Sequence, residues 1–251
     1  MYMDKNGFTL NDKVAIVTGA ARGIGYAVAN LLSRLGARVM LQDIDAVTLK
    51  SAVQQLLAED RQVLSNQGDV SRAFDIQAMV DETLEKWGRV DILVNNAGIG
   101  GVGKNLLELS IEEWQRMIDV DLTAVFLCCR SVLPSMVRQQ RGVIINIASI
   151  SALMGVPGST HYAAAKAGVI GFSKSLAREV AGQHINVNVV APGLIDTHMS
   201  RARGIEHQRH LVIWPRIGSV DDIAWGVAYL ASDQAEFITG EVMNINGGAY
   251  M

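Results

Sequence analysis

Tyr162 and Lys166 stand four residues apart, and Ser149 precedes the tyrosine by thirteen. Four residues is about one turn of α-helix, so the phenol and the ammonium project from one helix face. A free tyrosine has a pKa of ~10 and is a poor base at neutral pH. An adjacent cation stabilises the phenolate and lowers that value. Lowering it by ~3 units takes about 4 kcal/mol, within reach of one close cation in a partly dry site. A phenol tuned this way, with a hydroxyl to hold the reacting oxygen, suits hydride transfer between an alcohol and a ketone. Such chemistry needs a dinucleotide site nearby. The candidate is the glycine-rich turn Thr18-Gly19-Ala20-Ala21-Arg22-Gly23-Ile24-Gly25.

That turn follows the apolar run Val14–Val17 and opens a helical pattern from Gly23 to Leu35. Glycines let the backbone turn tightly against a pyrophosphate, and a helix N-terminus adds amide donors and a partial positive charge. The spacing is Gly-x-x-x-Gly-x-Gly rather than Gly-x-Gly-x-x-Gly, so alone it also reads as a tight strand-to-helix connection. Asp43 ends the second apolar run, near the ~20-residue offset of a ribose-binding acid. By itself it reads equally as a turn or cap aspartate. A carboxylate there accepts the ribose hydroxyls of NAD and opposes the 2′-phosphate of NADP. Two like charges 4 Å apart repel by ~4 kcal/mol at an effective dielectric of 20. Arg22 argues the other way, since it can pair with that phosphate. NAD is the expected cofactor, NADP the lesser alternative.

Short apolar runs continue at Arg38–Leu41, Ile92–Val94, Val143–Ile145, Val187–Val190 and Val242–Ile245. Helical patterns separate them, notably Val47–Leu57, Ile111–Met136 and His161–Val180. This alternation predicts an α/β fold: a Rossmann-type doubly wound parallel sheet of about seven strands with helices on both faces. One domain over residues 1–251 is the economical reading, and 49% hydrophobic content suffices for its core. A net charge of −3 leaves no basic footprint for nucleic acid. No uncharged apolar run nears the ~18 residues of a membrane span, and Met1–Leu10 has no cationic apolar leader. Cys128 and Cys129 are adjacent in a helical pattern and poorly placed to bridge, so a reducing, cytoplasmic setting is expected.

Together these residues resemble the short-chain dehydrogenase/reductases, from about Lys13 to Met251. The matching marks are Thr18-Gly19 with Gly23 and Gly25, Asp69-Val70, Asn95-Asn96-Ala97-Gly98, Ser149, Tyr162 with Lys166, and Pro192-Gly193 with Thr197. The resemblance implies an oxidoreductase acting on CH–OH groups, with Tyr162 as general acid and base. It implies that Lys166 bonds the nicotinamide ribose and that Ser149 holds the substrate oxygen. Ser151 is a local rival, but the thirteen-residue interval favours Ser149. It further implies that Asp69 and Val70 frame the adenine and that Asn96, with Ala97 and Gly98, lines the cofactor groove. Ile195 and Thr197, after Pro192-Gly193, would meet the carboxamide and phosphates.

One position departs from the family. Asp121 stands where an asparagine is usual, whose backbone carbonyl holds a water linked to the lysine. The carbonyl survives the change, and an added carboxylate near Lys166 would favour the ammonium. A modified proton relay and a tolerated helix substitution both fit.

Residues 198–216 occupy the place of a substrate lid, with Arg201, Arg203, Arg209 and Arg216 against one acid, Glu206. The segment reads as a solvated amphipathic helix or as an anion-seeking entrance. His207 and His210 lack further spaced ligands, so no metal site is assigned. Many stretches look like the 3-oxoacyl-carrier-protein reductase branch, which typically uses NADPH and basic residues that grip the carrier. Here Asp43 opposes NADPH, and Gln140 and Gln183 replace the basic residues. A small-molecule alcohol or ketone is therefore the expected substrate, with the carrier-protein thioester as runner-up. A non-catalytic dinucleotide-sensing regulator would show a damaged Ser, Tyr or Lys position, and all three are intact. Broad apolar faces on the helices around Val125–Leu127 and Val169–Phe172, with the family's pairing of those helices, point to a homotetramer.

Overall fold

A computed structural model describes residues 8–251, apart from residues 102 and 203 and the side chains of residues 206–208. Seven strands form one sheet: β1 (Val14–Thr18), β2 (Arg38–Asp43), β3 (Val63–Gln67), β4 (Ile92–Asn95), β5 (Gly142–Ile147), β6 (Ile185–Pro192) and β7 (Val242–Ile245). Their order is β3-β2-β1-β4-β5-β6-β7, and every pairing is parallel. The order reverses between β1 and β4, which opens a crevice beyond the carboxyl ends of those strands. The site lies there.

The helices are α1 (Gly23–Arg34), α2 (Ala46–Ala58), α3 (Ala73–Trp87), α4 (Ile111–Ile118), α5 (Ala124–Gln139), α6 (Ser151–Met154), α7 (Thr160–Val180), α8 (His198–Arg201) and α9 (Val220–Ala231). Side chains of a strand alternate between faces, so β1 feeds two cores. Ala15 and Val17 pack with Val28, Leu32 and Val227 under α1 and α9. Ile16 packs with Met79, Val132 and Val169 under α3, α5 and α7. Strands covered on both faces need apolar residues throughout, and β1 is buried at all five positions.

Two features differ from the sequence reading. The edge strand β3 shows no apolar run, because three of its five residues are polar: Ser65, Asn66 and Gln67. The single helix expected over Ile111–Met136 is two helices joined by a π-helical turn, Asp119–Thr123. Such turns insert an extra residue and re-aim a side chain, often at functional sites. Here the re-aimed residue is Asp121. Residues 111–139 are long and apolar enough to cross a bilayer by length and composition. Half of that apolar window is buried in the fold, where α5 packs on α3, β4 and β5.

Candidate active site

The glycine turn between β1 and α1 is braced from β4. Thr18 Oγ1 accepts the amides of Asn96 and Ala97, each at 3.1 Å. Asn96 Nδ2 donates to the carbonyls of Thr18 and Gly19 at 2.9 and 3.0 Å. A Cβ on Gly19 would lie 2.8 Å from Ala97 Cα, and its φ of +63° also favours glycine. Gly23 and Ile24 open α1, whose first amides have no side-chain cap and face the cleft as an anion cradle. Gly25 does not line the cleft. A Cβ there would come 2.1 Å from the Gly19 carbonyl oxygen, so its role is close packing of helix on turn.

At the end of β2, Asp43 Oδ2 accepts the Ala21 amide and Oδ1 the Asp45 amide, both at 3.0 Å. The acid thus lines the cleft and ties down the turn. Arg22 is already engaged, its guanidinium on the Asp45 carboxylate. Hydrogen bonds from Thr48, then the Arg22 charge, hold the Asp45 carboxyl below its ordinary range. Farther along, Asp69 accepts the Ser71 amide and hydroxyl at 2.9 and 2.7 Å. Burial works to raise its pKa, but Ser71 and Arg116 outweigh that and leave it lowered. Val70 packs with Val120, Ala124, Ala97 and Ile99 into an apolar wall.

The cleft deepens into a cavity of about 740 Å³ that brings Ser149, Tyr162, Lys166 and Asp121 together. Ser149 and Ser151 are partners rather than rivals. Ser149 Oγ accepts the Ser151 amide at 3.1 Å and donates to its hydroxyl at 3.2 Å. Lys166 is 5% exposed; its Nζ donates to the Ile147 carbonyl at 3.1 Å and lies 5.8 Å from the Tyr162 ring centre. Asp121 is fully buried, and its Oδ1 accepts the Ile99 amide at 2.8 Å. Its Oδ2 faces Lys166 Nζ at 3.1 Å as an ion pair. Burial lowers the Lys166 pKa, yet the charges of Asp121 and Tyr162 outweigh it and leave the value raised. The carboxylate itself meets the lysine.

Past β6, Pro192 and Gly193 form the floor of the cavity; a Cβ on Gly193 would strike Asn246 Cα at 2.6 Å. Ile195 and Thr197 follow on the same wall, and Thr197 caps α8. Among the described residues, Arg201, Arg209 and Arg216 of the lid are engaged within the chain. Arg201 forks Asp196 at 2.6 and 2.9 Å, and Arg216 forks Asp222. Arg209 donates to the carbonyls of Val212 and Trp214 at 2.8 and 3.0 Å. None of these three lines the cavity. Arg203 and the side chains of Glu206 and His207 lie outside the described residues. The substrate end is instead apolar, lined by Met154, Val156, Leu194, Met199 and Leu211.

The sequence reading missed Arg116, which lines the cleft from α4, and Ser151 as the holder of Ser149. A serine two residues past a candidate nucleophile-like hydroxyl is a local signal for the second. Nothing local marks the first. Gln140 and Gln183 sit just before β5 and β6, at the opposite end of those strands from the cavity.

The crevice position, the glycine-backed anion cradle and the Ser–Tyr–Lys wall define a doubly wound oxidoreductase built for a nicotinamide dinucleotide. Comparison with known proteins agrees. A family profile described as Enoyl-(Acyl carrier protein) reductase matches residues 19–250. A 3-oxoacyl-[acyl-carrier-protein] reductase of Synechocystis is 41% identical over 96% of this chain and 98% of that protein. The 3-oxoacyl-[acyl-carrier-protein] reductase FabG of Escherichia coli is 43% identical over 95% of this chain and 98% of that one. Among solved structures, gox2181 superposes with a TM-score of 0.93 at 36% identity, over 96% of this chain and 97% of the other. Levodione reductase does so with a TM-score of 0.91 at 33% identity, over 95% and 97%. The chain belongs to the short-chain dehydrogenase/reductase family and acts on CH–OH groups.

Proposed function

We propose that this chain is an NAD-linked oxidoreductase that interconverts an uncharged, largely apolar secondary alcohol and its ketone. The observation that carries the cofactor choice is the Asp43 carboxylate, fixed by the Ala21 and Asp45 amides at the cleft. Arg22, the residue that would greet a 2′-phosphate, is held by Asp45. A phosphate there meets two acids and a cation already paired, which disfavours NADP. The cradle fits a dinucleotide because Gly19 and Gly23 line the cleft at a strand-to-helix turn, with the helix N-terminus beside them.

When bound, the dinucleotide supplies or accepts the hydride. The chain's residues handle the proton. Tyr162 Oη takes the hydroxyl proton of the alcohol and returns it to the ketone oxygen in reverse. Ser149 Oγ, positioned by Ser151, holds that oxygen and stabilises charge developing on it. The Lys166 ammonium favours the phenolate. Residues 198–216 close over the substrate end, and the apolar lining there selects against charged substrates.

The relatives' names support a second reading, in which the ketone is the 3-oxo group of an acyl-carrier-protein thioester; the family resemblance pairs that substrate with NADPH. Asp43, whose carboxylate opposes the 2′-phosphate of NADPH, favours the first reading. We further propose a cytoplasmic homotetramer. Half-exposed aromatics on α5 and α9, Phe126 at 44% and Trp225 at 50%, support an assembly that covers them. Light scattering tests it, and a monomer overturns it.

Steady-state assays with acetoacetyl thioesters, diketones and polyols, each with NADH or NADPH and their oxidised forms, test the functional reading. We expect turnover of a diketone or secondary alcohol with the non-phosphorylated cofactor. Turnover confined to the thioester with NADPH would establish the second reading instead.

A further inference from the structure

The buried carboxylate of Asp121 has no place in the chemistry just described, yet the fold makes room for it. The π-helical turn Asp119–Thr123 carries it inward, and the Ile99 amide holds one oxygen at 2.8 Å. Gly98 leaves space for the other. A Cβ at that position would lie 2.8 Å from Asp121 Oδ2 and 3.4 Å from Lys166 Nζ. The ammonium is thus gripped from two sides, by Asp121 Oδ2 and by the Ile147 carbonyl, each at 3.1 Å.

We propose that Asp121 is a positioning residue whose direct ion pair pins Lys166 and raises the working pH of Tyr162 above that given by a neutral side chain at 121. The proposal rests on Tyr162 being the group that exchanges the substrate proton. The physics is one of charge sharing. A lone buried ammonium presents a full positive charge to the phenolate, whereas an ammonium paired at 3.1 Å presents closer to a dipole. The phenolate gains less, so its proton is held to higher pH. In return the lysine stays protonated and correctly placed before substrate arrives.

Several other charged groups near the site are paired. On α7, His161 is buried next to Tyr162, and α7 packs on α4, which carries Glu113. Glu113 is itself held by Lys104, and Asp119 by Gln115. Across the cleft Asp69 faces Arg116 at 3.7 Å, and His198 stands at the substrate end. On α5, burial pushes the Cys128 thiol up to about 12 and that of Cys129 up as well, so both stay neutral.

Two experiments on the full chain test the proposal. In Asp121→Asn, which keeps an acceptor for the Ile99 amide, the acid limb of kcat/KM for alcohol oxidation should move down by about one pH unit. An unmoved limb would overturn the proposal, even if kcat fell. The second experiment needs no turnover and no folded Asp121→Asn. Lys166→Met leaves a buried, unpaired carboxylate whose folded pKa rises above its unfolded value, so stability is lost as pH increases. The Tm deficit of Lys166→Met relative to the unaltered protein should therefore be large at pH 8 and narrow by pH 5. A deficit independent of pH would show that Asp121 does not depend on Lys166 and would overturn the pairing. If the unaltered protein turned over no alcohol or ketone, the functional reading would fail, while the Tm measurement would still decide on the pair.

Discussion

The amide of Ala21 donates to Asp43 Oδ2 at 3.0 Å, so one carboxylate both closes the phosphate turn and stands at its mouth. Asp43→Asn keeps an acceptor oxygen but removes the charge. Hydrogen bonds to charged groups contribute ~1.5–3 kcal/mol, so kcat/KM with NAD should fall ~10–100-fold. With NADP it should fall less or rise. The ratio of the two kcat/KM values is the measurement, and an unchanged ratio would remove Asp43 from cofactor choice.

Tyr162→Phe deletes the proton-exchanging oxygen and little else. Turnover should drop by ~10²–10⁴-fold, the usual weight of a general acid or base. NADH affinity, followed by fluorescence titration, should stay within a few-fold of the original. Retained turnover would mean that another group moves the proton.

Gly25→Ala places a methyl 2.1 Å from the Gly19 carbonyl oxygen, where backbone rather than a flexible side chain must yield. Overpacking of this kind costs ~1–3 kcal/mol. The variant should melt lower and bind dinucleotide more weakly, both readable in one thermal-shift titration with NAD.

Asp222 caps α9 through the Ser219 amide at 2.7 Å and is forked by Arg216. The Arg216 hydrogen bonds come first and the Ser219 bonds assist; together they overcome the opposing burial and hold its carboxyl well below the usual range. A depressed folded pKa gives stability that is present above the unfolded value of ~4 and lost as pH falls below it. Asp222→Asn should thus cost ~1 kcal/mol at pH 7, by the weight of a lost cap, and progressively less toward pH 2. Paired melting curves across that range check it; a constant gap would contradict the linkage.

Central strands, the glycine turn and the Tyr162–Lys166 spacing were legible in the sequence because each is a local pattern. A buried parallel strand must be apolar throughout, a pyrophosphate needs glycines at its turn, and four residues set one helix face. The polar edge strand Val63–Gln67 was not legible, since only its first residue is buried and three of its five are polar. Nor could spacing show that Arg116 reaches the cleft from α4.

The residue types, with the family resemblance they carry, therefore determined that this protein is a dinucleotide-dependent oxidoreductase. What only the tertiary structure decided is how charges far apart in the chain neutralise one another. Arg22 meets Asp45 across twenty-three residues, and Asp121 meets Lys166 across forty-five. Coulomb interactions depend on separation in space and on burial, and neither quantity is written in sequence distance.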